Sequence, residues 1–278
     1  MAVSKKPVLT NAARPATFEV EAYNERGEMV PTSIAGEHPL TLYLDNREIV
    51  TLMTLGHAPE ALAIGYLRNQ RLVSSVEELS SVQVDWETNA VAITTHARKP
   101  LPALDKKTVT SGCGQGTMFG DLMEEIDEIQ LRKDVFLEDT DLFALIEKVR
   151  KHETIYKQAG AVHGCALATT AGEILMFVED VGRHNAVDAI AGFMWLDGID
   201  GSDKVFYTTG RLTSEMVIKC AQMRIPFLVS RSGLTNMGHQ IANKVNMTML
   251  GRASGRHYLA FTGKERIQKT APQPTELA

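Results

Sequence analysis

Apolar positions along the chain change period about half-way, and the change divides the molecule. From Leu40 to Thr54 the runs "LTLYL" and "REIVTLMT" alternate around Asp45-Asn46, the pattern of two half-buried strands joined by a tight turn. Pro59 then opens a helix expected to run to about Gln70. "SVQVDW" and "NAVAITTH" predict a second hairpin around Thr88-Asn89, so the first part reads as β-rich with one helix. Further on, Asp139 to Asp141 offer a helix cap, and Leu142, Leu145, Ile146 and Val149 recur at helical spacing and mark one buried face. Strands and helices then alternate. Strand Ala161 to Thr169 pairs with Glu173 to Val178, followed by helix His184 to about Leu196, strand Lys204 to Thr209 and helix Thr213 to Met223. Strand Pro226 to Ser230, helix Leu234 to Val245, "MTML" and "HYLAFT" complete the series. This rhythm implies an α/β sheet whose parallel pairs are covered by helices.

The two ends lack any such period. Residues 1–17 are basic and rich in small side chains, and 268–278 carry two prolines, so both read as disordered tails. Between them the pattern gives a β-rich N-terminal lobe at 18–98, a loop region at 99–137 and an α/β core at 138–267. A hydrophobic content of 44% over 278 residues is ample for a buried core. A formal charge of −5 argues against a general nucleic-acid or membrane-surface binder. The absence of a bilayer-length apolar run or a secretory leader places the protein in the cytoplasm. Three widely spaced cysteines are no disulfide framework.

In sheets of this kind ligands bind beyond the carboxyl ends of strands, where the next helix presents free N–H groups. Three junctions carry matching residues: "EDVGRHN" (Glu179 to Asn185), "TTGRLTSE" (Thr208 to Glu215) and "VSRSGLTN" (Val229 to Asn236). Each sets an arginine (Arg183, Arg211, Arg231) and a glycine beside a helix start. That pairing suits phosphate, each charge-assisted bond contributing roughly 1.5 to 3 kcal/mol, although a solvated arginine at an ordinary helix start has the same signature. Cys220 falls on the Met216, Val217 and Met223 face and reads as core. His163 and Cys165 share one strand face, as a metal pair or as packing, and the zinc-deaminase signature is missing. His184 and Asp188, four apart, form either a hydrogen-bonded pair or a helix-surface contact. Cys113 lies in "SGCGQG", flanked by glycines that leave its sulfur reachable; it is either a reactive thiol or a tolerated loop cysteine.

Taken in order, "SGCGQG", "EDVGRHNAVD", "GRLTSEMVIK" and "IPFLVSRS", with weaker support from Glu37, Pro39 and "HAPEALAIGYL", identify a resemblance. From about Glu37 to Arg266 the chain resembles the formate dehydrogenase accessory sulfurtransferases of the FdhD type. The resemblance implies a cytidine-deaminase-like α/β core without the deaminase zinc. It implies a sulfur carrier that accepts persulfide from a cysteine desulfurase and passes it to the molybdenum (or tungsten) of the bis-guanine-dinucleotide pterin, Mo-bis(molybdopterin guanine dinucleotide), destined for formate dehydrogenase. Cys113 becomes the persulfide carrier. Arg183, His184, Asn185, Arg211, Ser230, Arg231 and the segment Arg252, Ala253, Ser254, Gly255, Arg256, His257 fall near the bound cofactor. Family members look dimeric, so a homodimer is expected. Two departures stand out: Gly116 replaces the second cysteine of the family's C-x-x-C loop, and Arg252 and His257 occupy the places of an aromatic and an arginine. The rival reading is a non-catalytic chaperone holding the finished cofactor, and a nucleobase deaminase is disfavoured by the absent zinc ligands.

Overall fold

The computed structural model describes residues 6–98, 108–109, 116–117, 126 and 128–270. The first part holds β1 (Val8–Leu9), β2 (Thr17–Tyr23), β3 (Met29–Ala35), β4 (His38–Leu44), β5 (Arg47–Thr54), α1 (Pro59–Asn69), β6 (Leu79–Asp85) and β7 (Ala90–Thr95). Then come the two-residue strands β8 (Thr108–Val109), β9 (Gly116–Thr117) and β10 (Leu137–Glu138), and the helices α2 (Asp139–His152) and α3 (Ile155–Ala159). The second part holds β11 (His163–Thr169), β12 (Ile174–Asp180), α4 (Arg183–Asp197), β13 (Lys204–Thr208), α5 (Ser214–Gln222) and β14 (Phe227–Ser230). It ends with α6 (Asn236–Lys244), β15 (Thr248–Ser254), β16 (His257–Thr262) and β17 (Ile267–Gln268).

Both expected hairpins form, because their turn residues accept left-handed backbone: φ is 48° at Asp45, 70° at Asn46 and 53° at Asn89. They belong to a five-stranded sheet of order β1-β6-β7-β4-β5. The second sheet has order β12-β11-β13-β14-β15-β16 and is mixed. β13, β14 and β15 run parallel, linked by α5 and α6, whereas β11, β12 and β16 pair antiparallel. Its residues alternate between two cores with the period of a strand. Cys165, Leu167, Phe206 and Leu228 face α1, α4 and α5, and Ala166, Ala168, Tyr207 and Val229 face α2.

α1 is buried nearly all round between the two sheets, and α4 crosses it at two glycines. A Cβ on Gly65 would lie 1.7 Å from Asp188 O, and one on Gly192 would lie 1.9 Å from Ala61 O. Glycine at both points lets the backbones touch, so one continuous core joins the lobes.

The ends depart from the tail expectation. β1 pairs parallel with β6, Ala12 N donates to Glu60 Oε1 at 2.8 Å, Trp86 Nε1 donates to Ala12 O, and Arg14 lies over the Trp86 ring. Backbone pairing to a sheet edge orders residues 6–17 without an apolar pattern of their own. At the other end β17 pairs with β10, and Thr270 N donates to Asp139 Oδ1 at 3.2 Å. Asp139 therefore serves the C-terminal strand, and Glu138 stands at the cap of α2. Within the expected loop, β8 pairs antiparallel with β9. Cys113 lies outside the described residues, as do 271–278.

Candidate functional site

Because β13, β14 and β15 run parallel, their carboxyl ends share one sheet edge. β11 runs the other way and begins there, and β12, antiparallel to β11, ends there. The three arginine-bearing junctions and the β15–β16 turn thus meet, although up to 78 residues separate them in the chain. α4, α5 and α6 all start at this edge, so three positive helix ends add to the arginine charge.

Short bonds lock the junctions together. Ser230 Oγ donates to Gly210 O at 2.6 Å and accepts from Ser232 N at 2.8 Å. Arg252 N donates to Ser232 O at 2.9 Å, which ties the β15–β16 turn to the third junction. Arg231 pairs with Glu153 (3.2 Å) and lies over the Tyr156 ring. The buried Glu179 fixes that wall by accepting from Thr154 N, Ile155 N and Tyr156 N at 2.9–3.0 Å. A Cβ on Gly210 would meet Arg183 Cδ at 2.6 Å, so glycine is what lets Arg183 cross the second junction. His163 Nδ1 sits 3.2 Å from Thr209 Oγ1 at the rim. Its burial, with the charges of Arg183, Arg231 and Arg211, holds His163 below its usual pKa.

The expected site residues separate into two layers. Arg211, Arg231, Arg252, Ser254, Gly255, Arg256 and His257 are exposed along the edge. Arg183, His184, Asn185, Ser230 and Ala253 are buried beneath it. Asn185 Nδ2 donates to Met53 O (2.6 Å) and Asp180 Oδ1 (2.8 Å), and Asp180 accepts from Thr54 Oγ1 at 2.6 Å, so this part of the motif fastens the edge to the N-terminal lobe. His184 and Asp188 are neither paired nor on a helix surface. His184, 1% exposed, faces Glu215 Oε2 at 3.3 Å. Asp188 accepts from Lys219 Nζ at 2.6 Å and from Asn69 Nδ2 at 2.7 Å. Burial first, then the Lys219 charge, drives His184 down to about 2, so the imidazole is neutral. Lys219 also lies 3.8 Å from Glu215, which completes a buried polar chain from His184 to the end of α1.

The sequence profile of the FdhD/NarQ family matches residues 35–268. The chain belongs to the FdhD/NarQ family. Similar curated proteins include the sulfur carrier protein FdhD of Listeria monocytogenes, 29% identical over 90% of this chain and 95% of that protein. That of Shouchella clausii is 32% identical over 84% and 90%, and that of Sulfurisphaera tokodaii is 30% identical over 88% and 95%. A crystal structure described as a formate dehydrogenase accessory protein from Desulfotalea psychrophila superposes with a TM-score of 0.75. It is 26% identical and covers 91% of this chain and all of that one.

In this FdhD/NarQ chain, reading the motifs as a list of contact residues missed the charges beneath them. Glu215 and Lys219 stand among Met216, Val217 and Ile218 in "SEMVIK", and charges at i and i+4 inside an apolar run were the available signal. Glu153 and Tyr156, the partners of Arg231, carried none. Cys220 is core as expected, and Cys165 is fully buried beside Thr208 Oγ1 (3.3 Å), its thiol pushed up to about 12 mainly by burial. Among the described residues no group of three or more His, Cys, Asp or Glu is arranged to hold a metal ion, and no helix is long and apolar enough to cross a membrane.

Proposed function

We propose that this chain is a cytoplasmic sulfurtransferase that carries one sulfur on Cys113 from a cysteine desulfurase to the molybdenum (or tungsten) of a bis-guanine-dinucleotide pterin destined for formate dehydrogenase. The observation that carries the reading is the gathering of Arg211, Arg231 and the Arg252–His257 turn at one edge with three helix N-termini, in a family whose curated members are named sulfur carriers. Helix starts and guanidinium forks together suit the phosphates of a dinucleotide substrate. The hairpin and three parallel, helix-linked strands of the second sheet support a cytidine-deaminase-like core.

Chemically, the Cys113 thiolate attacks the outer sulfur of the desulfurase persulfide. A new S–S bond forms on Cys113 and the desulfurase thiolate leaves. That outer sulfur is zero-valent. Its transfer to the metal as terminal sulfide takes two electrons, which a reduced metal centre supplies as its oxidation state rises by two, and the Cys113 thiolate is regenerated. With Gly116 in place of a second loop cysteine, the relay uses a single thiol.

Intact-mass measurement after incubation with a cysteine desulfurase and cysteine tests this reading. The wild type gains one sulfur and Cys113→Ala does not. Equal labelling of both, or full formate dehydrogenase maturation by Cys113→Ala, leaves the chaperone reading instead.

A further inference from the structure

His163 opens β11 at the edge where β13 and β14 end, and its half-buried imidazole rests against the second arginine-bearing junction. We propose that His163 is a further binding residue of this edge: its neutral ring takes up one proton from solvent when a diphosphate settles among Arg183, Arg211 and Arg231, so that anion binding and proton uptake are one event. The inference rests on the reading of this edge as the seat of a guanine dinucleotide.

Backbone pairing places the ring among the three arginines. Thr209 N donates to Gly164 O at 2.9 Å and Arg231 N to Thr208 O at 3.2 Å, which stitches the start of β11 and the third junction to the last residues of β13. Gly210 follows at once, crossed by the Arg183 side chain, and Arg211 is next in the chain. A ring resting on Thr209 is therefore bordered by all three cations. Burial, then the charges of Arg183, Arg231 and Arg211, disfavour its protonation while no anion is bound.

One hydroxyl holds the ring in either charge state. Thr209 Oγ1 lies 3.2 Å from His163 Nδ1 and also accepts from Gly164 N at 3.1 Å. A hydroxyl has one proton and two lone pairs, so its bond to Nδ1 survives whether that nitrogen donates or accepts. The ring keeps its place while its charge changes. Nε2 is left for the ligand, since among the described residues it has no hydrogen-bond partner.

A carboxylate beside the ring would charge it without any ligand, and the acids of the elements packed around it are engaged elsewhere. Asp180 stands directly opposite His163 in the β11–β12 ladder. Both of its oxygens are taken: Oδ2 accepts from Thr54 Oγ1 (2.6 Å) and Leu55 N (3.2 Å), and Oδ1 from Asn185 Nδ2 (2.8 Å) and Gly182 N (3.1 Å). Glu179, on the other face of the sheet, holds the N–H groups of Thr154, Ile155 and Tyr156. Glu153 pairs with Arg231, Glu215 lies against His184 and Lys219, and Asp188 is deeper still on Lys219. An incoming anion is thus what balances an imidazolium among these guanidinium groups. The charged ring in turn donates from Nε2 to a phosphate oxygen at charge-assisted strength.

Calorimetric titration of the full chain with guanosine diphosphate mannose tests the linkage. Both phosphates of that probe are ester-linked, as in a dinucleotide, so their charge is constant between about pH 6 and pH 8. In two buffers of different ionisation enthalpy near pH 7, the wild type shows net proton uptake on binding, and its affinity rises about fivefold from pH 8 to pH 6. His163→Gln, whose amide can take the bond to Thr209, and His163→Ala, which drops it, both lose the uptake and the pH dependence. His257→Gln, which removes the exposed histidine of the β15–β16 turn, still takes up the proton whatever its affinity. Binding by the wild type without proton uptake, or uptake that persists in the His163 variants, overturns the inference and leaves the dinucleotide reading standing. No binding of the probe by the wild type across this pH range overturns the dinucleotide reading of the edge, and the inference falls with it.

Discussion

The two edges of the six-stranded sheet both collect arginines, against opposite backbone fields. Where β13, β14 and β15 end, Arg211, Arg231 and Arg252 stand beside the starts of α4, α5 and α6, so side-chain and helix charges add. At the far edge Arg68, Arg71 and Arg224 stand at the ends of α1 and α5, whose negative poles offset part of their charge. The same residue type therefore stands in two different fields. The first arrangement, on the function proposed above, suits the phosphates of a dinucleotide, whereas at the second the helix poles weaken the pull on any anion. Between them runs the buried chain His184, Glu215, Lys219, Asp188, Asn69, with no apolar break.

The largest expected effect breaks that chain. Lys219→Met strands the Asp188 carboxylate in the core, and the loss is about 3 to 5 kcal/mol in chemical denaturation at neutral pH. Burial raises the Asp188 pKa in the folded state, so over the window from that raised value down to 3.8 the native protein holds more protons than the unfolded chain. The deficit of the variant should accordingly shrink as the medium is acidified toward pH 4. A denaturation midpoint equal to that of the wild type would show that the pair stabilises nothing.

Next in size is the contrast between the edges themselves. With guanosine diphosphate as probe in calorimetry, Arg211→Ala or Arg231→Ala should weaken binding roughly ten- to hundredfold, the share of one charge-assisted bond. Arg224→Ala should leave that affinity within about twofold. Equal losses from both edges would dissolve the distinction.

Protonation sharpens it further. His184 is depressed in the folded protein, so between the ordinary histidine value of 6.5 and about 2 the unfolded chain binds one proton more. Stability attributable to the neutral imidazole is complete above pH 6.5 and falls as the pH drops, by at most about 1.4 kcal/mol per pH unit. His184→Gln should flatten the melting temperature between pH 7 and 5; an unaltered slope would assign it to other groups.

The smallest effect concerns the far edge alone. Arg224→Gly and Arg224→Ala lose the same charge, so their difference reports the backbone. The glycine variant should be the more stable by about 1 kcal/mol. Equal stabilities would show that the left-handed backbone at Arg224, with φ of 62°, costs the fold nothing.

Legibility in the sequence tracked how local each interaction is. The hairpins at Asp45-Asn46 and Asn89 were readable because alternation and turn residues lie within one short window. The α2 face Leu142, Leu145, Ile146, Val149 is buried as its spacing predicts. β1 against β6 was hidden, since seventy-odd residues separate Leu9 from Val82 and neither carries a mark of the other. In the candidate site the exposed arginines were legible, but the burial of Arg183, His184 and Asn185 was not, because a polar residue at a helix start reads alike whether it meets solvent or a second sheet.

By itself, the sequence determined the order of the elements from β4 to β7 and from β11 to β16, the α/β class, the family and the three arginine-bearing junctions, all of which depend on contacts between near neighbours in the chain. Only the tertiary structure decided that those junctions share one edge, that Lys219 and Asp188 meet in the core, and that Arg68, Arg71 and Arg224 open on one groove. The physical reason is strand direction. Once β13, β14 and β15 run parallel, every strand-to-helix turn falls on the same side and every helix end on the other, which no single stretch of residues encodes.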